Sequence, residues 1–380
     1  MSNKPTVRGI SCSILVFLLA ALLWPEAPAA AKLPATRAKP TASGATQSAP
    51  KKQRVRRLRF RVPTYAEPTL GDVTAYDDPL VREAAVEALG KLNGSVVALD
   101  PNTGRLLAVL NQKLAFSEGF QPCSTIKPIV ALAGLSEGLI RRDTMVKVAR
   151  RTYMNLTEAM AHSNNPYFEL LGAQLGFEKV ADYARQLGLG ELAGYGIPEE
   201  HPGAFPMKPP ANGGVARMSS FGEGIQVTPL QLAAMTAALA NGGTLYYLQY
   251  PRSDEEQRHF APRIKRRLSL ETLLPELREG MLATVLYGTG RSSFDPEGEQ
   301  PLGKTGTCSA QGSRLGWFAS HSGALRPRVV IVVLLRGNTR IVNGGHAAQV
   351  AGRIYQRLRE RGYFQERQQA SVSAASGTAP

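Results

Sequence analysis

Two different spacings of apolar residues, first helical and then strand-like, follow one another at the start of the globular part of the chain. Residues 81–94 carry apolar side chains at helical spacing, which predicts a helix. Residues 95–100 and 105–110 are short apolar runs on either side of a Pro-Asn-Thr-Gly segment at 101–104. The pattern therefore predicts a helix followed by a β-hairpin.

Helical periodicity dominates the middle of the chain. Segments separated by short breaks predict successive helices at 124–140, 156–165, 166–176 and 178–188. Pro128 is compatible with the first of these helices because it lies in the first turn. Thr228 begins a Thr-Pro-Leu-Gln segment, which predicts a capping box with proline at the first helical position before residues 230–243.

The pattern changes to strands after Pro301. Residues 302–310, 314–320 and 327–337 are three β-like runs, and residues 347–362 predict an amphipathic closing helix. The connections between the late strands are too short for crossover helices, which disfavours a parallel doubly wound sheet. We therefore predict a mixed α/β fold of the α+β kind: an antiparallel sheet, built from the two ends of the chain and flanked by helices, with an inserted all-α lobe.

The first 31 residues differ from the rest. A short basic segment precedes an apolar run at 14–24 and small residues that end at Ala31, which predicts an export signal cleaved near Ala29 or Ala31. An uncleaved anchor within residues 9–30 is the alternative, because a membrane span needs roughly 20 apolar residues. In both cases we expect the protein body in the periplasm or cell envelope, where disulfides persist.

Two other segments are poor in apolar bulk. Residues 32–73 are a predicted disordered linker that contains a basic run, and residues 365–380 are a predicted disordered tail. The predicted globular unit is 74–364. With 380 residues, 43% of them hydrophobic and 20% charged, the chain has the composition of a globular protein large enough to be an enzyme.

The formal net charge of +15 is concentrated in the basic run. Export argues against nucleic acid as its partner. An anionic membrane surface or an acidic wall polymer would fit residues 51–61, and a solvated linker is the simpler interpretation.

Three short motifs occur in order: Ser-Thr-Ile-Lys at 124–127, Ser-Asn-Asn at 163–165 and Lys-Thr-Gly at 304–306. They fall at a predicted helix start, at a helix end and on a predicted strand. Each alone is explained by ordinary structure, namely a helix start, a helix-end serine and a strand with a glycine bulge. The ordered set, on an exported chain, matches the signature of serine penicillin-recognising enzymes.

The spacing within the first motif puts Lys127 one turn from Ser124 on the same helical face. A serine hydroxyl becomes a good nucleophile when a base takes its proton, and a lysine acts as that base when burial and a nearby cation such as Lys304 lower its pKa. We expect Ser163 to relay a proton to the leaving group and Asn165 to hold the substrate backbone.

The backbone N–H groups of Ser124 and Thr307 are the predicted oxyanion hole. The hydroxyl groups of Thr305 and Thr307, on either side of Gly306, are expected to bind a substrate carboxylate. This chemistry needs no cofactor, and no cluster of His and Cys suggests a metal site.

From about residue 84 to residue 363 the chain resembles the transpeptidase domain of penicillin-binding proteins, especially class B. The resemblance rests on the three motifs and on further segments at 94–110, 120–122, 220–243, 288–290 and 316–320. It implies attack of Ser124 on the D-Ala-D-Ala bond of a peptidoglycan stem peptide. An amine on a neighbouring strand then resolves the acyl-enzyme, and β-lactam antibiotics acylate the same serine.

Other outcomes of the same acylation remain open. Class B proteins usually carry a large N-terminal domain, whereas residues 32–73 here have the composition of a linker. A serine β-lactamase or D,D-carboxypeptidase needs a general base for water. Glu199 and Glu200 lie roughly where class A β-lactamases have one, but without its surrounding pattern, and we interpret them as loop carboxylates. A β-lactam sensor that does not turn over and a non-catalytic scaffold associated with the wall are further alternatives. His162 is predicted to be a packed helix residue, and His346 a cap or surface residue.

Two of the cysteines flank the predicted oxyanion hole, since Cys123 precedes Ser124 and Cys308 follows Thr307. Two N–H donors to one oxygen lie within roughly 6 Å of each other, which brings their neighbours to the Cα separation of a disulfide. We therefore predict a Cys123–Cys308 bond, with two buried thiols in contact as the alternative. Carbapenem-hydrolysing class A β-lactamases have a disulfide in the same relation to these motifs.

Overall fold

The fold is that of a computed structural model, which describes residues 60–116, 118–298, 300–323 and 327–365. The predicted export signal, most of the basic run and all of the predicted tail except Gln365 lie outside these residues. The helices are α1 Pro79–Leu89, α2 Gln112–Phe116, α3 Lys127–Ser136, α4 Leu156–Ala161, α5 Asn165–Gln186, α6 Gly214–Phe221, α7 Pro229–Ala240, α8 Asp254–Arg258, α9 Leu274–Leu286 and α10 Gly344–Glu360. The strands are β1 Gly94–Leu99, β2 Leu106–Leu110, β3 Val146–Ala149, β4 Thr152–Met154, β5 Thr244–Tyr246, β6 Ile264–Arg267, β7 Leu302–Ala310, β8 Ser313–His321 and β9 Val330–Gly337.

The main sheet joins the two ends of the chain, as predicted. Its strand order is β2-β1-β9-β8-β7, and each neighbouring pair is antiparallel. The predicted hairpin is β1–β2, and the central contact pairs β1 with β9, with Val97 opposite Val332. The fold prediction is confirmed.

Both faces of the sheet are buried, which explains why its central strands read as continuous apolar runs. Alternate residues of a strand point to opposite faces. In β9, Val332 belongs to the core shared with the helical lobe, and Val333 to the core under α1 and α10. The sheet is therefore a middle layer, and its edge strand β7 borders the helical lobe.

The inserted lobe contains α3 to α6 and α9, which pack on one another. The break predicted between residues 176 and 178 is confirmed inside α5, where Gly176 has a φ of 78°. The predicted capping box is also confirmed, since Thr228 Oγ1 accepts the N–H of Gln231 and the Gln231 side chain accepts the N–H of Thr228. Local capping chemistry thus fixes where α7 begins.

The packed chain begins before residue 74, which corrects the predicted linker boundary. Thr64 is buried, and its hydroxyl oxygen accepts the N–H groups of Asn338 and Thr339 at 3.2 Å. Arg82 on α1 pairs with Asp72 at 3.0 Å. These residues were missed because the segment has no periodic apolar pattern, and its polar groups are satisfied by residues distant in sequence.

In the described part of the chain, no helix is both long enough and apolar enough to cross a membrane.

Candidate active site

The first motif lies in a tight turn that leads into α3. Residues Cys123–Ile126 form a single 3₁₀ turn, and the α-helix starts at Lys127 rather than at Ser124. Cys123 adopts a φ of 52°, which is uncommon for a residue other than glycine. Ser124 is 8% exposed, so only a small part of this residue is open to solvent.

Lys127 joins the first motif to the second. Its fully buried Nζ donates to the carbonyl oxygen of Ser163 at 2.6 Å, to Ser163 Oγ at 3.0 Å and to Asn165 Oδ1 at 2.6 Å. Ser163 has a φ of 53° and occupies the break between α4 and α5. This break directs both the hydroxyl and the carbonyl of Ser163 towards the lysine.

The third motif approaches the nucleophile turn along β7. A Cβ atom at Gly306 would lie 2.9 Å from the carbonyl oxygen of Pro122, so glycine is needed for this close approach. The Lys304 side chain is buried, and its Nζ donates to the carbonyl oxygen of Thr305 at 3.0 Å. The sheet edge and the start of α3 are therefore in backbone contact.

The two buried lysines have perturbed acid–base properties. Burial lowers the pKa of Lys127 to about 7, and the negative charge of Glu169 partly opposes this effect. Burial also lowers the pKa of Lys304 well below its ordinary value, and the positive charge of Lys127 acts in the same direction. A lysine with a pKa near 7 exists partly as the neutral amine at physiological pH, and such an amine can accept a proton.

The hydroxyl of Ser124 has a hydrogen-bond partner outside the three motifs. Ser124 Oγ donates to the carbonyl oxygen of Ser220, at the end of α6, at 3.3 Å. Ser220 Oγ in turn donates to Glu169 Oε1 at 3.0 Å. The segment 220–243 contributes to the family resemblance, but no sequence signal links Ser220 or Glu169 to Ser124.

The expected disulfide is present between Cys123 and Cys308, with a Cα–Cα distance of 5.6 Å. It connects the nucleophile turn to β7 directly beside Ser124 and Thr307. The two elements that carry the predicted oxyanion donors are thus covalently joined.

The hydroxyl groups expected to bind a carboxylate have protein partners. Thr305 Oγ1 forms a hydrogen bond with Thr289 Oγ1 at 2.6 Å, and Thr307 Oγ1 accepts the N–H of Gly344 at 2.8 Å. A hydroxyl that accepts a hydrogen bond retains its own hydrogen for donation. The exposed Thr307 therefore keeps a donor for a ligand.

The two loop carboxylates have structural partners. Glu200 accepts the N–H groups of Ala193 and Gly194, both at 2.7 Å, and Glu199 pairs with Arg252 at 2.8 Å.

Both histidines lie near helix ends. His162 is exposed rather than packed, and its Nε2 lies 3.3 Å from Glu158 Oε2 at the end of α4. The backbone N–H of His346 donates to Asn343 Oδ1 at the start of α10.

Comparison with solved structures gives the class of fold. The chain matches the apo structure of the transpeptidase domain from Burkholderia pseudomallei penicillin-binding protein 3 with a TM-score of 0.64 and 22% sequence identity. The match covers 74% of this chain and 93% of that domain. At this identity the likeness concerns the fold.

The family follows from the sequence comparison. Residues 94–356 match the family described as penicillin binding protein transpeptidase domain, and the chain belongs to this family. Relatives are class B proteins. The chain is 27% identical over 367 residues to the peptidoglycan D,D-transpeptidase MrdA of Acinetobacter baumannii, with 76% of this chain and 54% of MrdA covered.

A second relative is the peptidoglycan D,D-transpeptidase FtsI of Escherichia coli, which is 25% identical over 301 residues, with 69% of this chain and 50% of FtsI covered. Stage V sporulation protein D of Bacillus subtilis is 28% identical over 313 residues, with 68% of this chain and 48% of that protein covered. The chain spans about half the length of these relatives.

Proposed function

We propose that the protein is an exported serine-type D,D-transpeptidase that forms an acyl-enzyme on Ser124 during peptidoglycan synthesis or remodelling. The observation that carries this proposal is the buried Lys127, held by Ser163 and Asn165 with a pKa of about 7. The names of the relatives, which are peptidoglycan D,D-transpeptidases, support the same reaction.

In the acylation step, Ser124 Oγ attacks the carbonyl carbon between the two terminal D-alanines. Neutral Lys127 takes the hydroxyl proton, and Ser163 passes a proton to the nitrogen of the departing D-alanine as the C–N bond breaks. The N–H groups of Ser124 and Thr307 donate to the developing oxyanion. The products are a serine ester and free D-alanine.

Substrate binding falls to β7 and Asn165. We expect Thr305, Gly306 and Thr307 to line the position of the substrate carboxylate, to which the Thr307 hydroxyl can donate a hydrogen bond. The amide of Asn165 binds the substrate backbone. An amine of a second stem peptide then attacks the ester, releases Ser124 and forms the cross-link.

β-Lactam antibiotics open on the same serine by the same attack, so they are the second class of ligand. Export to the periplasm or cell envelope belongs to the proposal and rests on residues 1–31. Contact of residues 51–61 with an anionic membrane surface or wall polymer rests on their charge.

Labelling with a fluorescent penicillin and assay with a chromogenic cephalosporin test this function. We expect a long-lived label on the wild-type protein, slow colour release and no label on Ser124→Ala. Rapid colour release would instead support a β-lactamase, and label on Ser124→Ala would overturn the assignment. A stem-peptide donor with an added amine acceptor then separates transpeptidation, carboxypeptidation and binding without turnover.

A further inference from the structure

Glu169 lies on the active-site face of α5, one turn after the second motif. Residues four apart on a helix share a face, so Glu169 projects on the same side as Asn165, whose Oδ1 binds Lys127. The side chain of Glu169 is half-buried, and its Oε1 accepts the hydroxyl of Ser220 at 3.0 Å. A carboxylate is therefore held beside the acylation site without being one of the motif residues.

Ser220 connects this carboxylate to the nucleophile. It is fully buried at the end of α6, and its carbonyl oxygen accepts the Ser124 hydroxyl at 3.3 Å. The next carbonyl, that of Phe221, accepts the Gln121 side chain at 2.9 Å. The last carbonyls of a helix have no partner within the helix, and here they hold the nucleophile turn instead.

Glu169 also acts on Lys127 through its charge. The titratable groups that interact with Lys127 are Lys304 from β7 and Glu169 from α5, and its hydrogen-bond partners are the neutral groups of Ser163 and Asn165. The carboxylate favours the protonated form of Lys127, whereas burial favours the neutral form. Glu169 is thus linked to both the nucleophile and the base.

We propose that Glu169 is a positioning residue for acylation, which orients the Ser124 hydroxyl through Ser220 and sets the charge balance around Lys127. The inference rests on the proposed acylation of Ser124. In the resting site the Ser124 hydroxyl is held by α6, and it must leave the Ser220 carbonyl to give its proton to Lys127. Glu169 fixes the residue from which the hydroxyl departs.

Two variants separate the two parts of this role. Glu169→Gln keeps an oxygen that accepts the Ser220 hydroxyl and removes the negative charge. Ser220→Ala removes the hydroxyl and leaves the charge in place. Glu178→Gln is a matched control, because Glu178 is exposed on the same helix.

The measurement is the second-order rate constant for acylation by a fluorescent penicillin between pH 5.5 and 8.5. For Glu169→Gln we expect the rising limb of the rate–pH profile to move to lower pH, because neutral Lys127 becomes more abundant. Acylation at pH 6 should then be at least about threefold faster than in the wild type. For Ser220→Ala we expect a plateau that is about threefold lower or more, with the rising limb at the wild-type pH. Glu178→Gln is expected to match the wild type.

Thermal unfolding of each variant is measured alongside. A wild-type protein that takes no label overturns the proposed function. If the wild type is labelled but Glu169→Gln has the pH profile of the wild type, the role proposed for Glu169 is overturned and the proposed function is not. The role of Glu169 is also overturned if the variant loses activity in proportion to its loss of thermal stability while the rate–pH profile does not shift, because that result indicates a structural residue.

Discussion

The two walls of the active site are held in different ways. The helical wall carries Lys127, Ser163, Asn165 and Glu169, and it is positioned by side-chain hydrogen bonds and by a non-helical break between α4 and α5. The sheet wall is β7, whose residues are positioned by its ladder with β8. A strand ladder fixes several residues at once, whereas the geometry around Lys127 depends on individual polar contacts. We therefore expect proton transfer to depend on the helical wall and oxyanion binding on the sheet wall.

Removal of the base should have the largest effect. In Lys127→Met the Ser124 hydroxyl has no proton acceptor, and we expect acylation by penicillin to fall by about 10²- to 10⁴-fold. Stopped-flow labelling measures this rate, with Lys147→Met at an exposed strand position as the control. Acylation at more than a tenth of the wild-type rate would show that another group takes the proton.

Separation of the two walls is the next largest change. In the double variant Cys123→Ala/Cys308→Ala, we expect the free energy of unfolding to fall by about 2 to 5 kcal/mol, because the bond closes a long loop between residues 185 positions apart. Urea unfolding with and without reductant measures this difference. Reductant should destabilise the wild type and leave the variant unchanged, and equal midpoints for both proteins would contradict the prediction.

A methyl group on the sheet wall should disturb the oxyanion hole. Gly306→Ala puts a Cβ atom 2.9 Å from the Pro122 carbonyl, and β7 must shift away from the turn. The expected loss in acylation rate is about 10- to 10²-fold, since one displaced oxyanion donor costs roughly this much or more. Ser309→Ala, at an exposed position on the same strand, is the control. A wild-type acylation rate in Gly306→Ala would mean that the close approach of residue 306 to the Pro122 carbonyl is not needed.

The pH dependence of the acylation rate tests the helical wall without a substitution. Since the pKa of Lys127 is about 7, the lysine becomes protonated as the pH falls through this value and then cannot accept the Ser124 proton. Acylation is expected to fall about tenfold per pH unit well below pH 7 and to level off above it. Rates measured across this range check the sign, and a flat profile from pH 5.5 to 8.5 would exclude Lys127 as the titrating base.

The smallest effect is expected outside both walls. Glu200 binds the backbone N–H groups of Ala193 and Gly194, so Glu200→Gln should leave acylation and deacylation within about twofold of the wild type. The decay of the fluorescent label measures deacylation. A label that persists at least tenfold longer would restore Glu200 as a base for water.

Features that depend on local sequence could be predicted, whereas contacts between distant residues could not. The hairpin, the late strands, the break at Gly176 and the capping box at Thr228 were predicted because each depends on local periodicity or local hydrogen bonds. The packing of Thr64 against residues 338 and 339 was missed because its partners lie far away in the sequence.

Residue type and spacing were enough to predict the hairpin, the antiparallel late strands and the three motifs. The pairing of Cys123 with Cys308 needed one further step, the assumption that Ser124 and Thr307 donate to the same oxyanion. The packing of distant segments was needed to show that the Ser124 hydroxyl donates to the Ser220 carbonyl, that Glu169 accepts the Ser220 hydroxyl, and that burial lowers the pKa of Lys127 to about 7. These contacts could not be predicted because hydrogen-bond partners and burial depend on which distant segments pack together, and the spacing of residues within one segment does not encode this.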